Sequence, residues 1–254
     1  MNAMETKART EQAIRLIRES NRIVALSGAG ISTEAGIPDF RGPSGMWEEP
    51  GLMERLSVTG FRKDPETFYS TTVKLFCTIE RAQPTLAHWL LVRLEQIGKL
   101  KAIITQNIDG LHTAAGSTTV YELHGTYRSG HCPQCGAEFE MQLFYSEIEQ
   151  GRLRVPRCNR CAVPLKPDIV LFEELLPVDA WNGAVQAATE CDLMLVLGSS
   201  LVVYPAAELP MIALENGARL IIVNLGQTSY DNLAAVSIQG SLGDFAKAAL
   251  ATLL

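Results

Sequence analysis

Six short apolar runs set the narrowest limits on what this chain can fold into. Arg22 to Leu26, Ala102 to Thr105, Thr119 to Leu123, Asp168 to Phe172, Leu193 to Leu197 and Leu220 to Val223 are rich in aliphatic residues and show no polar alternation. A strand with one wet face alternates with a period of two, so an unbroken apolar run is covered on both faces. Helical spacings lie around the runs: Ala13, Ile14 and Ile17; Leu86, Leu90, Leu91 and Leu94; Ala206, Leu209, Ile212 and Ala213; Phe245, Ala249 and Leu250. Apolar residues at three- and four-residue intervals give one buried helix face. Strands and helices in alternation predict an α/β fold with a doubly wound parallel sheet. The chain has 254 residues, 47% hydrophobic and 20% charged, which is enough for such a core and unlike a disordered tail or a coiled coil.

Two stretches break the alternation. Gly42 to about Gln83 is polar, punctuated by Pro and Gly and helix-leaning, and Ser129 to about Pro164 carries most of the cysteines. Read as insertions, they leave residues 1–42, 84–128 and 165–254 for the large domain and make a small domain from a helical 43–83 and a metal-binding 129–164. A ligand cleft is expected between them.

Of the six cysteines, four form two pairs, Cys132-Pro133-Gln134-Cys135 and Cys158-Asn159-Arg160-Cys161, separated by 22 residues. Two such knuckles wrap four thiolates around one tetrahedral ion, and four sulfurs leave no position for substrate, so a structural Zn2+ is expected. Redox dithiols and an Fe–S cluster are the alternatives, and His131 is a spare ligand. Cys77 and Cys191 stand alone and read as core thiols.

No apolar run reaches the roughly 18 residues needed to span a bilayer, and the first residues carry no hydrophobic leader. A cytoplasmic protein without membrane contact is expected. With 22 Lys and Arg against 28 Asp and Glu, the net charge of −6 argues against direct nucleic-acid binding. A monomer is the expected oligomeric state.

The first apolar run leads into Gly28-Ala29-Gly30-Ile31-Ser32-Thr33-Glu34-Ala35-Gly36, a strand-to-helix turn in which backbone N–H groups can face a phosphate. The third glycine falls too late for the G-x-G-x-x-G dinucleotide fingerprint, and a plain tight turn explains the segment as well. The following Pro38-Asp39-Phe40-Arg41 is either a braced loop or a lid with Phe40 shielding a reactive carbon from water. Polar groups gather where other runs end: Gln106-Asn107-Ile108-Asp109, then Glu122-Leu123-His124-Gly125, then Gly198-Ser199-Ser200, then Asn224-Leu225. Ligands of open α/β sheets bind at the carboxyl ends of strands. His124, one of four histidines, is placed there as a general base, with an exposed turn histidine as the alternative.

Taken together, the glycine loop, Gly36-Ile37-Pro38-Asp39-Phe40-Arg41, Thr105-Gln106-Asn107-Ile108-Asp109, His124-Gly125, the four cysteines and Gly198-Ser199-Ser200 resemble the sirtuin (Sir2) family of NAD-dependent protein-lysine deacylases, of the bacterial and archaeal type. The match runs in one order from about residue 20 to the end. The resemblance implies a Rossmann-like large domain, a small domain with zinc, and a cleft where NAD as co-substrate meets an acyl-lysine protein or peptide. It implies NAD contacts from Gly28, Ala29, Gly30, Thr33, Asp39, Phe40, Arg41, Gln106, Gly198, Ser199, Ser200, Asn224, Leu225 and Leu242, with Ile108 and Asp109 at the nicotinamide. Asn107 and Asp109 would fix the cofactor, and His124 would be the base. Val170, Phe172 and Glu173, with Val203 opposite, would bind the substrate, whose backbone adds as a strand. The products implied are nicotinamide, O-acyl-ADP-ribose and free lysine. Two rival functions remain: protein mono-ADP-ribosylation on the same scaffold, and non-catalytic NAD sensing.

The chain departs from the family pattern twice. The family's Phe-Gly-Glu is Phe172-Glu173-Glu174 here, which predicts a narrower approach or altered substrate choice. The Tyr-x-x-Arg of members that take acidic acyl groups is Tyr69-Ser70-Thr71-Thr72 here, which leaves a buried acyl carboxylate without a cation and predicts neutral acyl chains.

Overall fold

A computed structural model describes residues 3–39 and 50–253. The strands are β1 (Ile23–Ser27), β2 (Leu100–Thr105), β3 (Val120–Glu122), β4 (Gly125–His131), β5 (Glu138–Glu140), β6 (Lys166–Ile169), β7 (Leu193–Leu197), β8 (Arg219–Asn224) and β9 (Val236–Gln239). The helices are α1 (Ala3–Glu19), α2 (Leu52–Arg55), α3 (Val58–Lys63), α4 (Pro65–Arg81), α5 (Leu86–Gln96), α6 (Leu111–Ala115), α7 (Gln142–Glu149), α8 (Val178–Glu190), α9 (Leu209–Glu215) and α10 (Leu242–Leu253).

Six strands form one parallel sheet in the order β3-β2-β1-β7-β8-β9. The chain moves outward from β1 to β3, returns to β7 beside β1, and moves outward again, so the order reverses between β1 and β7. That reversal is the switch point at which doubly wound sheets open a crevice. Both faces of the sheet are covered, as the unbroken apolar runs require. Ile23, Ala25, Leu193, Leu195, Leu197, Ile221 and Val223 pack on one face with residues of α1, α5 and α10. Their neighbours Val24, Leu26, Met194, Val196, Leu220 and Ile222 pack on the other with Ala184 and Ala188 of α8 and Leu209 and Ala213 of α9.

The run Asp168 to Phe172 does not join the parallel sheet. Its first residues close β6, which pairs antiparallel with β4 in a three-stranded sheet of order β5-β4-β6. Ile169 and Leu171 are buried in a third cluster with Phe68, Tyr69 and Phe76 of α4, Tyr145 of α7, and Cys132 and Cys158. An apolar run is buried by whichever core it meets, and this one meets the aromatic cluster; Phe61, Phe68 and Tyr69 stack edge to face there at 5.1–6.4 Å. The expected strand-to-helix turn after β1 is two successive 3₁₀ turns, Ala29–Ile31 and Thr33–Ala35, ended by Gly36 at φ 84°.

Candidate active site and metal centre

The carboxyl ends of β1, β2, β7 and β8 open into one cavity of about 1610 Å³. Its walls include Gly28, Ala29, Gly30, Thr33 and Asp39 from the segment after β1 and Gln106, Asn107, Ile108 and Asp109 after β2. His124, Val170, Phe172 and Glu173, then Gly198, Ser199, Ser200 and Val203, and Asn224, Leu225 and Leu242 complete the set that the sequence singled out. Phe40 and Arg41 lie outside the described residues.

The glycines at this point serve backbone packing. Gly28 N–H donates to Leu197 O at 3.1 Å and Gly30 N–H to Gly198 O at 3.0 Å. A Cβ on Gly30 would stand 2.7 Å from Gly198 Cα, and one on Gly198, whose φ is 64°, would stand 2.5 Å from Ile31 N. The two strand ends therefore lie against each other with no room for a side chain. Those two N–H groups are spent on β7 and its turn, so neither is left to face a phosphate.

Polar side chains brace the ends of β1, β2 and β7. Gln106 N–H donates to Ser27 O at 3.0 Å, and its side-chain amide to Ser199 Oγ at 2.9 Å. Asp109 is buried and accepts from Ser32 Oγ at 2.7 Å and from the Leu111 N–H at 2.9 Å. Asn107, also buried, donates to Ser32 Oγ at 3.2 Å. Ser32 thus holds both Asn107 and Asp109, a role that its place in the glycine loop did not disclose.

His124 lies between β3 and β4, two residues past Glu122, and is half-buried. Its Nδ1 lies 2.8 Å from the carbonyl of Gln106. A carbonyl only accepts, so in the neutral ring the proton sits on Nδ1 and Nε2 keeps its lone pair. Burial pushes the His124 pKa below the ordinary histidine value and outweighs the opposing effect of the Gln106 hydrogen bond. The backbone carbonyl of His124 accepts from Val170 N–H at 2.8 Å, which ties the 170–173 segment to the ring's own residue.

That segment is anchored on its other side as well. Val58 N–H donates to Phe172 O and Phe172 N–H to Leu56 O, each at 3.1 Å. Glu173 takes φ 77°, the left-handed conformation that glycine adopts most easily. Its Oε2 accepts from Thr59 N–H at 3.0 Å and Thr59 Oγ1 at 2.8 Å, so the carboxylate is drawn to the first turn of α3. A further wall comes from Thr72, Leu75, Phe76 and Ile79 of α4. Tyr69 is fully buried, with its hydroxyl donating to Leu165 O at 2.6 Å, and Thr72 Oγ1 donates to Phe68 O at 3.0 Å. Among the described residues that line the cavity, Glu34, Asp39, Asp109, Glu173 and Glu174 carry carboxylates and none is Lys or Arg.

The four cysteines meet outside this cavity. Each offers one Sγ, and the four atoms lie within 4.8 Å of one another. Cys135 Sγ and Cys158 Sγ are 3.7 Å apart, close to the about 3.8 Å edge of a tetrahedron with Zn–S bonds of about 2.3 Å. The knuckles are alike: Gly136 N–H donates to Cys132 O and Ala162 N–H to Cys158 O, each at 2.9 Å, and Gly136 and Ala162 have φ 70° and 58°. The donor set and its spacing fit zinc. His131 is directed elsewhere, with Nδ1 2.6 Å from Asp168 Oδ1.

The Sir2 family model matches residues 28–205. The NAD-dependent protein deacetylase of Caldivirga maquilingensis is 43% identical over 231 residues, covering 90% of this chain and 88% of that protein. A solved Sir2 variant with a deacetylated p53 peptide and 3'-O-acetyl ADP ribose superposes with a TM-score of 0.89 at 41% identity, over 94% of this chain and 96% of that one. A Sir2 structure with a p53 peptide and NAD+ gives 0.87 at 40% identity, over 95% and 97%.

Proposed function

Because this chain belongs to the Sir2 family, we propose that it is an NAD-dependent protein deacetylase and that the reaction takes place in the cavity at the sheet's switch point. One observation carries the reading to these residues: a neutral His124, with Nδ1 committed to a carbonyl and Nε2 able to accept a proton, stands on the wall of that cavity. The volume of about 1610 Å³ exceeds the roughly 300–1,000 Å³ of a single-ligand pocket, which suits two substrates. The relative named as a deacetylase, and the neighbours with a p53 peptide beside NAD+ or acetyl ADP ribose, support that pairing.

NAD, when bound, supplies a ribose carbon from which nicotinamide departs. The chain's part is to position, exclude water and move a proton. The glycine loop, Asp39, Gln106, Ser199, Ser200, Asn224, Leu225 and Leu242 would hold the dinucleotide, with Phe40 and Arg41 assigned by resemblance. Asn107, Ile108 and Asp109 would fix the nicotinamide end, and the Ser32 bridge keeps Asn107 and Asp109 in one arrangement, so little reorganisation is needed when charge develops. Val170, Phe172 and Val203 would line the path of the acyl-lysine, and the Glu173–Thr59 anchor would keep that wall fixed. His124 Nε2 would take a proton from a ribose hydroxyl. The products would be nicotinamide, O-acyl-ADP-ribose and free lysine.

Cys132, Cys135, Cys158 and Cys161 would hold Zn2+. None of them lines the cavity, and four thiolates complete the coordination, so the ion's role is structural. We assign residues 1–42, 84–128 and 165–254 to the NAD-binding domain and 43–83 with 129–164 to the smaller one; the aromatic cluster, drawn chiefly from the latter, supports the division. No helix among the described residues is long and apolar enough to cross a membrane. Free Cys77 and Cys191 suit a reducing compartment, and we place the protein in the cytoplasm as a monomer without direct nucleic-acid contact.

The acyl group taken should be neutral. Tyr69 is committed to Leu165, and the described lining offers no cation, so an acyl carboxylate would be buried unpaired at a cost of about 3–5 kcal/mol. Mass spectrometry of peptides incubated with NAD is expected to show deacetylation, with kcat/KM for a succinylated peptide lower by at least roughly 10²-fold. ADP-ribose on the peptide with the acyl group retained would instead establish the transferase reading. The pH profile follows from His124. Its base form is present above a pKa that lies below the ordinary histidine value. Hence the acid limb of kcat/KM should be centred below the unperturbed histidine pKa of about 6.5. An acid limb centred above that value would remove His124 as the titrating base.

A further inference from the structure

Two buried histidines lie beneath the glycine loop and have no part in the reaction as described. His88 and His112 are at most 2% exposed, and their ring centroids are 4.7 Å apart with planes at 54°. Their hydrogen-bond partners assign a position to each ring proton. The Thr85 N–H donates to Nδ1 of His88 at 3.1 Å, so the proton of the neutral ring is on Nε2. Ser27 Oγ donates to Thr105 Oγ1 at 2.9 Å and lies 2.8 Å from Nε2 of His112. With its own proton given to Thr105, Ser27 accepts from His112, whose proton is therefore also on Nε2. The ring atoms left over, His88 Nε2 and His112 Nδ1, are buried without a hydrogen-bond partner. By this assignment they are complementary, a donor on one ring and an acceptor on its neighbour. Burial lowers the pKa of His88 to about 4 and that of His112 well below the usual range, so both rings are neutral at pH 7.

From His112 a line of bonds runs to the site. His112 donates to Ser27 at the end of β1, Ser27 donates to Thr105 at the end of β2, and Thr105 Oγ1 accepts the backbone N–H of Asn107 at 3.1 Å. Ser27 and Thr105 are register partners, so the line crosses from one strand to the next where both enter the cavity wall. We propose that His112 is a positioning residue for deacetylation: its Nε2–H, through Ser27 and Thr105, sets the direction in which Asn107 leaves β2, while His88 backs its ring. Without that donor, Ser27 Oγ is free to turn away from Thr105, and the oxygen that accepts the Asn107 N–H loses one of the bonds that hold it. Small displacements of a site residue are costly to turnover and little felt in binding.

The proposal rests on the reading of Asn107 as a site residue, and the test separates the two. Wild-type, zinc-loaded enzyme with acetylated peptide and NAD reports on the function, and ¹⁵N correlation spectra of the histidine rings report on the relay. Both His88 and His112 should appear as neutral Nε2–H tautomers at pH 7. His112→Leu, and Thr105→Val one link on, are each expected to lower kcat by about tenfold or more with less than about threefold change in either KM. His112→Gln, whose side-chain amide again presents an N–H, should recover most of the loss. Should the Leu variant fail to fold, Thr105→Val and the tautomers decide. An Nδ1–H tautomer on His112, wild-type kcat in a folded Thr105→Val, or Gln no better than a folded Leu variant overturns the proposal. A wild type with the expected tautomers and no deacetylation overturns the functional reading instead.

Discussion

His124→Ala should lower kcat/KM for the acetylated peptide by roughly 10²–10⁴-fold, the range expected for loss of a general base, while NAD binding survives. The alanine change also removes the donor to the Gln106 carbonyl, so on its own it confounds chemistry with local support. His124→Asn separates the two: its amide N–H reaches where Nδ1 stood, yet nothing replaces Nε2. The asparagine variant should therefore be as inactive as alanine in a peptide assay, with a melting temperature nearer the wild type. The physical ground is that Nδ1–H faces an acceptor only, which leaves Nε2 as the basic atom at neutral pH. Full turnover by a folded asparagine variant would remove His124 from the proton transfer.

The second large effect is on stability. Cys132→Ala should abolish zinc binding, read as metal per chain by plasma mass spectrometry. Structural zinc contributes folding free energy directly, and a loss of about 3–5 kcal/mol corresponds to a Tm lower by about 6–10 °C in a chain of this size. Cys132 and Cys158 are buried in the same cluster as Phe68, Tyr69 and Phe76 of α4. Phe76, with Thr72, Leu75 and Ile79, also lines the cavity, so activity should fall with the metal although no cysteine reaches the cavity. Chelation of the wild type should reproduce both losses. A metal-free variant with wild-type Tm and full activity would show that the four sulfurs are not a structural zinc site.

Much of this architecture was legible because burial on two faces leaves a plain mark on sequence. The runs at β1, β2, β7 and β8 lie within a residue or two of the observed strands. The elements that escaped did so for identifiable reasons. Helix α8 turns Ala184 and Ala188 to the sheet, and small residues make a weak apolar stripe. Strand β9 is four residues long and includes Ser237 and Gln239. Strand β4, Gly125–His131, is largely polar because it sits between the short strands β5 and β6 and buries only Tyr127 and Gly130. The run Asp168 to Phe172 reads as a strand of the parallel sheet, yet only Asp168 and Ile169 are in a strand, and that strand is in the smaller sheet, since periodicity reports that a residue is covered and not by what.

The site divides in the same way. Residues at strand ends stood out because amide, carboxylate and imidazole groups follow apolar runs abruptly, and the described ones line one cavity. Ser32 was hidden because a serine in a glycine loop also reads as a turn residue. Thr72, Leu75, Phe76 and Ile79 have ordinary helical spacing, so nothing in the sequence distinguishes a cavity wall from a core face. The outcome at Glu173 was equally inaccessible: the positive φ follows from the position, while the reach of its carboxylate to Thr59 depends on where α3 lies.

The central claim is that the crevice between β1 and β7 receives NAD, and calorimetric titration tests it most directly. Zinc-loaded wild-type protein titrated with NAD should give saturable heat at one molecule per chain, and His124→Asn should give the same stoichiometry. No measurable association by folded, zinc-loaded protein at millimolar NAD would contradict the account.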